Sequence, residues 1–461
     1  MAASSAGAPS WRTEISRYQW AVLFATTLGW ALDGFDSSLF TQIAGPASTD
    51  LLGHASTFYS GLSVTLFLGG WALGAILFGA LADYIGRVKV LMIGVLTYSV
   101  FTGLATLADN YWLFAVLRFI AGTGSGVELP IGAALVAEAW NNRFRARASG
   151  VMMAGLAAGS LVSAIVYNFA GPLGWRVTLA FGLLPALLTL FIRWFVHEPA
   201  STGQVKQARA ARKRLRAAGA QRTAEDRFVL AQLFSPPLLR RTLPCTTICI
   251  GALFGFWGLT TWTPQVVRDV VAAHGITGNA AVSYVSWAVA VLNIGGMIGY
   301  ASWGFIADKV GRKATFLMSL VVGIIAVVIL FPFATSYVEY LILLPFTGFG
   351  VFGVLAGTAV YLPEVFGPSV RASALAVTNS IGRVFTAAGP LVAGVIAVSW
   401  FGGSLALATT AVTGLIVISF IGLALIPETR GRFIYAEQTE QTPIRQALVH
   451  PAAQNPETQA R

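Results

Sequence analysis

A short pattern occurs twice in this chain, each time at the end of an apolar stretch long enough to cross a bilayer. The first copy reads Gly79-Ala-Leu-Ala-Asp83-Tyr-Ile-Gly86-Arg87-Val-Lys89, and the second reads Gly304-Phe-Ile-Ala-Asp308-Lys-Val-Gly311-Arg312-Lys313, about half the chain later. A second pair keeps nearly the same offset: Glu138 and Arg145 recur as Glu364 and Arg371. Internal repetition constrains a fold more than any local signal, because each copy must build the same unit. Two equivalent membrane halves facing a shared central pathway satisfy that constraint.

Composition agrees. Hydrophobic residues make up 56% of the 461 residues and charged residues 11%, with a mean hydropathy of +0.71. A soluble chain carries about 25% charged residues, so lipid must be the second solvent here. Many of the 49 glycines stand four apart, as in Gly70/Gly74, Gly155/Gly159, Gly295/Gly299 and Gly353/Gly357. In lipid such pairs let helix backbones approach closely. The net charge of +11 does not indicate nucleic acid, because the ten Lys and Arg between Lys206 and Arg241 lack interleaved aromatics. Cys245 and Cys249, one helical turn apart, read as buried packing thiols. No cleavable signal peptide is expected.

Counting runs of about 20 apolar residues gives twelve crossings: 18–40, 59–81, 90–107, 111–137, 149–170, 176–196, 242–264, 282–306, 314–333, 338–361, 373–398 and 404–426. These must be helices, since backbone in lipid has to satisfy its own hydrogen bonds. The expected fold is an all-α membrane protein of twelve transmembrane helices in two six-helix pseudo-symmetric bundles, 18–196 and 242–426. A basic linker (197–241) joins the bundles, and tails (1–17 and 427–461) flank them. Positive charge gathers in the turns after even-numbered crossings, with Arg87/Lys89, Arg143/Arg145/Arg147 and Lys309/Arg312/Lys313 as examples. The positive-inside rule then puts both termini, the linker and the tails in the cytoplasm.

Five charges interrupt the apolar segments: Asp33, Asp36, Arg118, Glu128 and Arg383. Each costs about 2.5–3.5 kcal/mol near a helix centre on insertion scales and calls for a function or a partner. With the first crossing ending near Thr41 and the fourth starting near Tyr111, Asp33, Asp36 and Arg118 lie roughly 8–12 Å below the outer surface at 1.5 Å per residue. Two carboxylates beside one guanidinium form an unbalanced set. Arg118 can hold one ionised, while like-charge repulsion favours a proton on the other. Such a site suits proton coupling. Alternatively, Asp33 caps a kink beside Gly34. Glu128, two residues before Pro130, is either a second proton site or a partner for backbone loosened by the proline.

Arg383 falls near the midplane with no acid in its own segment. Its planar fork suits a carboxylate, so it marks either an anionic substrate or an ion pair with an acid on another helix. Asn379, one turn away, and Asn293, at similar depth, complete a candidate substrate site. Trp257 and Gln265 of segment seven join it if that helix lines the cavity; interfacial anchoring is the other reading of its tryptophans.

The chain resembles the major facilitator superfamily over all twelve segments. The resemblance rests on the repeated pattern, Arg118-Phe-Ile-Ala-Gly122 and Pro427-Glu428-Thr429-Arg430-Gly431. Within it, Leu32-Asp33-Gly34-Phe35-Asp36, Gly122-Thr-Gly-Ser-Gly-Val-Glu128-Leu-Pro130, Glu138-Ala-Trp140, Arg145-Ala-Arg147 and Gly382-Arg383 resemble metabolite–proton symporters of organic acids, including aromatic-acid, sialate and lactate carriers. The resemblance implies two halves rocking about a central site, with Asp36 and Arg118 as a proton-coupling pair. It also implies a cytoplasmic latch of Asp83, Arg87, Asp308, Arg312, Glu138, Arg145, Glu364 and Arg371. Val127 replaces a glycine usual in that family, a change expected to narrow or reshape the cavity.

The expected protein is a monomeric, multi-pass importer in a bacterial inner membrane that couples protons to a small organic anion. It has no cofactor, metal or nucleic-acid partner, and the proton gradient is its energy source. The alternatives are a proton symporter of a neutral sugar or polyol, and a drug or metabolite exporter. A signalling sensor fits poorly with the short tail. An enzyme is not expected, because no metal-ligand cluster, nucleotide loop or nucleophile–base set stands out.

Overall fold

The two copies of the repeated pattern end two helices in the same way. In the computed structural model, which describes residues 15–140, 142–187, 233–366 and 370–429, Gly86 has φ 111° and ψ 151°, and Gly311 has φ 105° and ψ 160°. That backbone region is open to glycine and strained for other residues. Each glycine stops one helix and lets the next start at the arginine that follows. The sequence repeat is therefore a repeat of backbone geometry.

In the first half run α1 (Arg17–Leu52), α2 (Thr57–Ile85), α3 (Arg87–Ala105), α4 (Tyr111–Ser125), α5 (Glu128–Ala139), α6 (Asn142–Ala170) and α7 (Trp175–Ala180), then a 3-10 turn at Phe181–Leu183. In the second half run α8 (Pro236–Ala273), α9 (Asn279–Val310), α10 (Arg312–Phe333), α11 (Tyr337–Val360), α12 (Leu362–Val365), α13 (Arg371–Ala387), α14 (Gly389–Ser399), α15 (Leu405–Gly414) and α16 (Ile418–Leu425). Paired pieces make single crossings: α4 with α5, α13 with α14, and α15 with α16. Among the described residues there is no strand, and ten stretches are long and apolar enough to cross a membrane. The other two crossings are α1, which carries Asp33 and Asp36, and the sixth, whose second part lies outside the described residues. The tails (1–14 and 430–461) and most of the linker (188–232) are also outside them.

Polar side chains set the helix starts. Ser16 and Gln19 form a capping box at α1, as Ser336 and Glu339 do at α11, and Asn110 caps α4. Two boundaries differ from the sequence reading. α1 continues past Thr41 to Leu52, where Gly53 (φ 75°) closes it, and α8 starts at Pro236 inside the stretch assigned to the linker. Counting apolar residues finds the part of a helix that lipid needs. It does not find polar turns that prolong the helix beyond it.

The spaced glycines lie at helix crossings. Gly70 and Gly74 press on the backbone of Phe119 and Thr123, and Gly122 and Gly126 face Phe67, Trp71 and Ala75 in return. A Cβ at any of them would collide, so α2 and α4 approach as closely as backbones allow. Gly155 and Gly159 do the same between α6 and α1, and Gly295 and Gly299 between α9 and α11. The halves meet where α6 packs on α9, where α2 packs on α13 and α14, and where α1 packs on α8. The outside of the bundle bears large exposed apolar side chains such as Ile76, Val116, Phe333 and Leu425, the surface that lipid covers.

Candidate functional site

Through Gly34, α1 lies against the backbone of Leu156 on α6, with Ser160 donating to the Gly34 carbonyl at 3.1 Å. The helix is continuous there, and neither Asp33 oxygen accepts from a backbone N–H, so Asp33 caps nothing. This contact turns Asp36 toward α4. Its carboxylate pairs with Arg118, Nη2 to Oδ2 at 3.1 Å, and both side chains are fully buried. Arg118 Nη1 donates to Thr102 of α3 at 2.6 Å, and the guanidinium stacks on Phe40 (4.0 Å) and Phe67 (4.7 Å). Gly182, in the turn after α7, leaves room for Thr102 and Asp36 to meet. The expected pair is thus held from five crossings. Breaking it one-sidedly would strand a buried charge, at a cost of about 3–5 kcal/mol.

Asp33 is held differently. It is also fully buried, yet neither carboxylate oxygen has a hydrogen-bond partner. Asp36, Arg118 and Arg383 act on it electrostatically, and the Ser125 hydroxyl stands beside it, placed to donate to the carboxylate. Glu128 lies against Gly29 of α1 with Oε1 buried and unpartnered. Pro130 removes the donor that would have met the Gly126 carbonyl, and the fourth crossing breaks there, between Ser125 and Glu128. Tyr98 sits in the field of all three acids with an unpartnered hydroxyl.

Arg383 on α13 faces this cluster from the other half. It is 3% exposed, its guanidinium lies 4.3 Å from the Trp71 ring, and Nε and Nη1 have no hydrogen-bond partner. No described carboxylate is in ion-pair contact with it; Asp33 acts only at longer range. Trp71 in turn packs edge-on against Trp30 (6.2 Å) and Trp257 (5.3 Å). One indole face thus backs a cation with free donors, and two further tryptophans brace that indole. Asn379 and Asn293 each bond a carbonyl of their own helix through Nδ2 and leave a buried Oδ1 free. Asn293 and Trp257 line a central cavity with Ser37, Ser38, Thr41 and Thr260; at 20 Å³ it has room for about one water.

Gln265 stands apart. It belongs to a larger cavity, about 1020 Å³, on the face opposite the repeated pattern. There it accepts from Arg268 (2.8 Å) and donates to Asp269 (2.8 Å). On the same face Asp50 accepts from Trp175 Nε1 (2.9 Å) and Arg176 (2.6 Å), and those two donors hold its carboxyl below the usual carboxylate range. Val127 points elsewhere than expected: it packs into a small core with Val22, Val88 and Leu91 and against Gly94, away from both cavities.

On the face of the repeated pattern, Arg312 grips Glu364 through Nε and Nη2 (both 3.1 Å) and Asp308 through Nη1 (3.1 Å). Asp308 reaches across to Arg147 of the first half at 3.4 Å. Arg145 instead bonds the Trp140 carbonyl and feels Glu364 at longer range. The side chains of Asp83, Arg87, Glu138 and Arg371 lie outside the described ones. Glu428 accepts from the backbone N–H of Arg312 and Lys313, filling donors left open at the start of α10.

Several residues of this arrangement escaped the sequence reading. Thr102, Phe40 and Phe67 carry no charge to mark them, and only the flanking Gly70 and Gly74 hinted at Trp71. Arg147 stood in the quoted Arg145-Ala-Arg147, but nothing there separated the bridging arginine from its neighbour.

Comparison with known proteins settles the family. The Major Facilitator Superfamily description matches residues 22–277 and 270–453, nearly the whole chain. The chain belongs to that superfamily. It is an integral, multi-pass membrane transporter with the twelve-helix fold, and not an enzyme. A Haemophilus influenzae protein known by the provisional name of metabolite transport protein is 31% identical over 91% of this chain and 98% of its own. The cis,cis-muconate transport protein of Acinetobacter baylyi is 27% identical over 86% of this chain and 91% of its own. Among solved structures, the proton:xylose symporter XylE bound to 6-bromo-6-deoxy-D-glucose superposes with a TM-score of 0.69 at 18% identity, over 92% of this chain and 99% of that one. This last likeness speaks to fold alone.

Proposed function

We propose that this transporter is a proton-coupled symporter that imports a small organic anion, a carboxylate, by alternating access. Its setting is a bacterial inner membrane, with the face of the repeated pattern and both termini in the cytoplasm, as the loop charges favour. The observation that carries the reading is Arg383: a buried guanidinium with free donors and no described carboxylate in ion-pair contact, across from Asp33, a buried carboxyl with no ion-pair partner among the described residues. A substrate carboxylate in the gap satisfies the arginine, and a proton on Asp33 removes the charge that the arginine no longer balances. The relative named for cis,cis-muconate handles a molecule of this chemistry.

In the proposed cycle the Asp36–Arg118 pair keeps α1, α3 and α4 in register, while Asp33 exchanges the proton and Glu128 and Tyr98 extend the polar path. Trp30, Trp71 and Trp257 supply flat apolar walls for the body of the anion. Neutralising anion and acid together lowers the cost of enclosing the site, and the halves then rock. Opening toward the cytoplasm breaks the Asp308–Arg147 bridge.

The test is uptake into proteoliposomes carrying a pH gradient, acid outside, with a panel of labelled carboxylates and neutral sugars. The expected result is gradient-driven accumulation of one or more carboxylates that collapses on adding a protonophore. Accumulation of a neutral sugar but of no acid contradicts the reading.

A further inference from the structure

The large cavity opposite the repeated pattern is distinct from the small one lined by Asn293 and Trp257, which has room for about one water, and neither cavity is lined by Asp33 or Arg383. Its 1020 Å³ lies at the upper end of volumes that hold small organic ligands. Thr41 borders both cavities, so the larger one stands directly above the smaller along α1.

Charge in this vestibule is uneven. Arg268 is the cation of its lining, and no described carboxylate is in ion-pair contact with it. Its partners are neutral: Gln265 Oε1 at 2.8 Å, the Tyr167 hydroxyl at 2.9 Å and the Gln42 carbonyl at 3.5 Å. Asp269 acts on it only at longer range, since that carboxylate accepts from Gln265. Asp50, the acid of the lining, is already engaged by Arg176 and Trp175. Thr261 Oγ1 and Trp262 Nε1, both on the lining and at least nine-tenths buried, have no partner. The bonds from Arg268 to Tyr167 and Gln42 join the second half to the first.

We propose that the vestibule is a separate entry site for a carboxylate, with Arg268 as its receptor, and that the anion displaces Tyr167 from the guanidinium. The displacement replaces a neutral contact by a charge-assisted one. It also removes a tie between the halves at the mouth, so arrival of the anion loosens the path toward the central site. The chemistry recognised is an organic acid with an apolar body, which the Trp262 and Val64 walls cover. This rests on the organic-anion reading above but on different residues.

The test uses the full-length protein in nanodiscs with Ser399→Cys, a reporter on the exposed rim of the cavity. Cys245 and Cys249 are buried and give no background. Arg383→Gln is added to silence the central site, and the introduced thiol is labelled with a hydrophilic maleimide. Benzoate and cis,cis-muconate are expected to slow labelling at least threefold, and neutral benzamide to leave it unchanged. Adding Arg268→Gln should restore the anion-free rate, while Tyr167→Phe, which keeps the cation and frees it, should lower the benzoate concentration needed. Equal protection after Arg268→Gln, or loss of protection through Arg383→Gln alone, overturns the proposal. The readout involves neither protons nor turnover. Failure of gradient-driven uptake by the unaltered transporter would therefore strike the symport reading and leave this one standing.

Discussion

Arg118 and Arg383 are both buried guanidiniums, and they differ in what surrounds them. Arg118 has a carboxylate, a hydroxyl and two aromatic faces; Arg383 has one indole face and empty donors. Substitutions should separate them. Asp36→Asn leaves Arg118 charged and unpaired, and thermal unfolding should show a loss of about 3–5 kcal/mol. Arg383→Gln removes a buried charge that no described carboxylate pairs in contact and that Asp33 offsets only at longer range, so the melting temperature should stay level or rise. The same change should weaken binding of the anion by roughly ten- to a hundredfold, the worth of charge-assisted hydrogen bonds of about 1.5–3 kcal/mol. The charges themselves were legible in the sequence, because an ionisable residue inside an apolar run is rare. Their neutral supports were not: Thr102 and Phe40 look like any other residues of a membrane helix, and only the folded chain shows which arginine they face.

At the scale of helices, glycine contact decides where the charged side chains stand. Gly122 meets the Phe67 carbonyl one turn from Arg118. Gly122→Ala should therefore force α2 and α4 apart, cost about 1–3 kcal/mol in thermal stability and reduce uptake. Gly414→Ala, with nothing within 4 Å, should leave both unchanged or gain stability by up to about 1 kcal/mol. The end of α1 offers a pH test. Because Asp50 is held below the ordinary carboxylate range by Trp175 and Arg176, its tie from α1 to α7 is complete above about pH 4 and weakens as pH falls through the lowered value. Amide exchange of residues 45–52 should rise over that acid range, and Asp50→Asn should abolish the change. Capping residues and repeated glycines made these elements readable from sequence. The direction of Val127 was not, because one helix offers three neighbours and the pattern does not say which one a side chain meets.

For the whole molecule, the repeat announced two equivalent halves, and the matched geometry of Gly86 and Gly311 bears this out. What the repeat does not encode is the contact between them, since symmetry fixes each half and leaves the conformation of the pair open. Here the halves are joined at one face by Asp308 and Arg147 and at the other by Arg268 and Tyr167. The Asp308–Arg147 pair is partly exposed and worth about 0.2–1 kcal/mol. Arg147→Gln should thus enlarge, by up to about fivefold, the population open at the face of the repeated pattern, as read by spin-label distances between α6 and α9.

On the symport reading, one proton enters with each anion because Asp33 and Arg383 act on each other across the site. The most direct test of that coupling is proton uptake on mixing the purified transporter with its carboxylate in weakly buffered solution, followed with a pH indicator. The expected result is net proton consumption in step with binding, absent in Asp33→Asn although that variant still binds the anion. Saturable binding without proton consumption by the unaltered transporter would contradict the account.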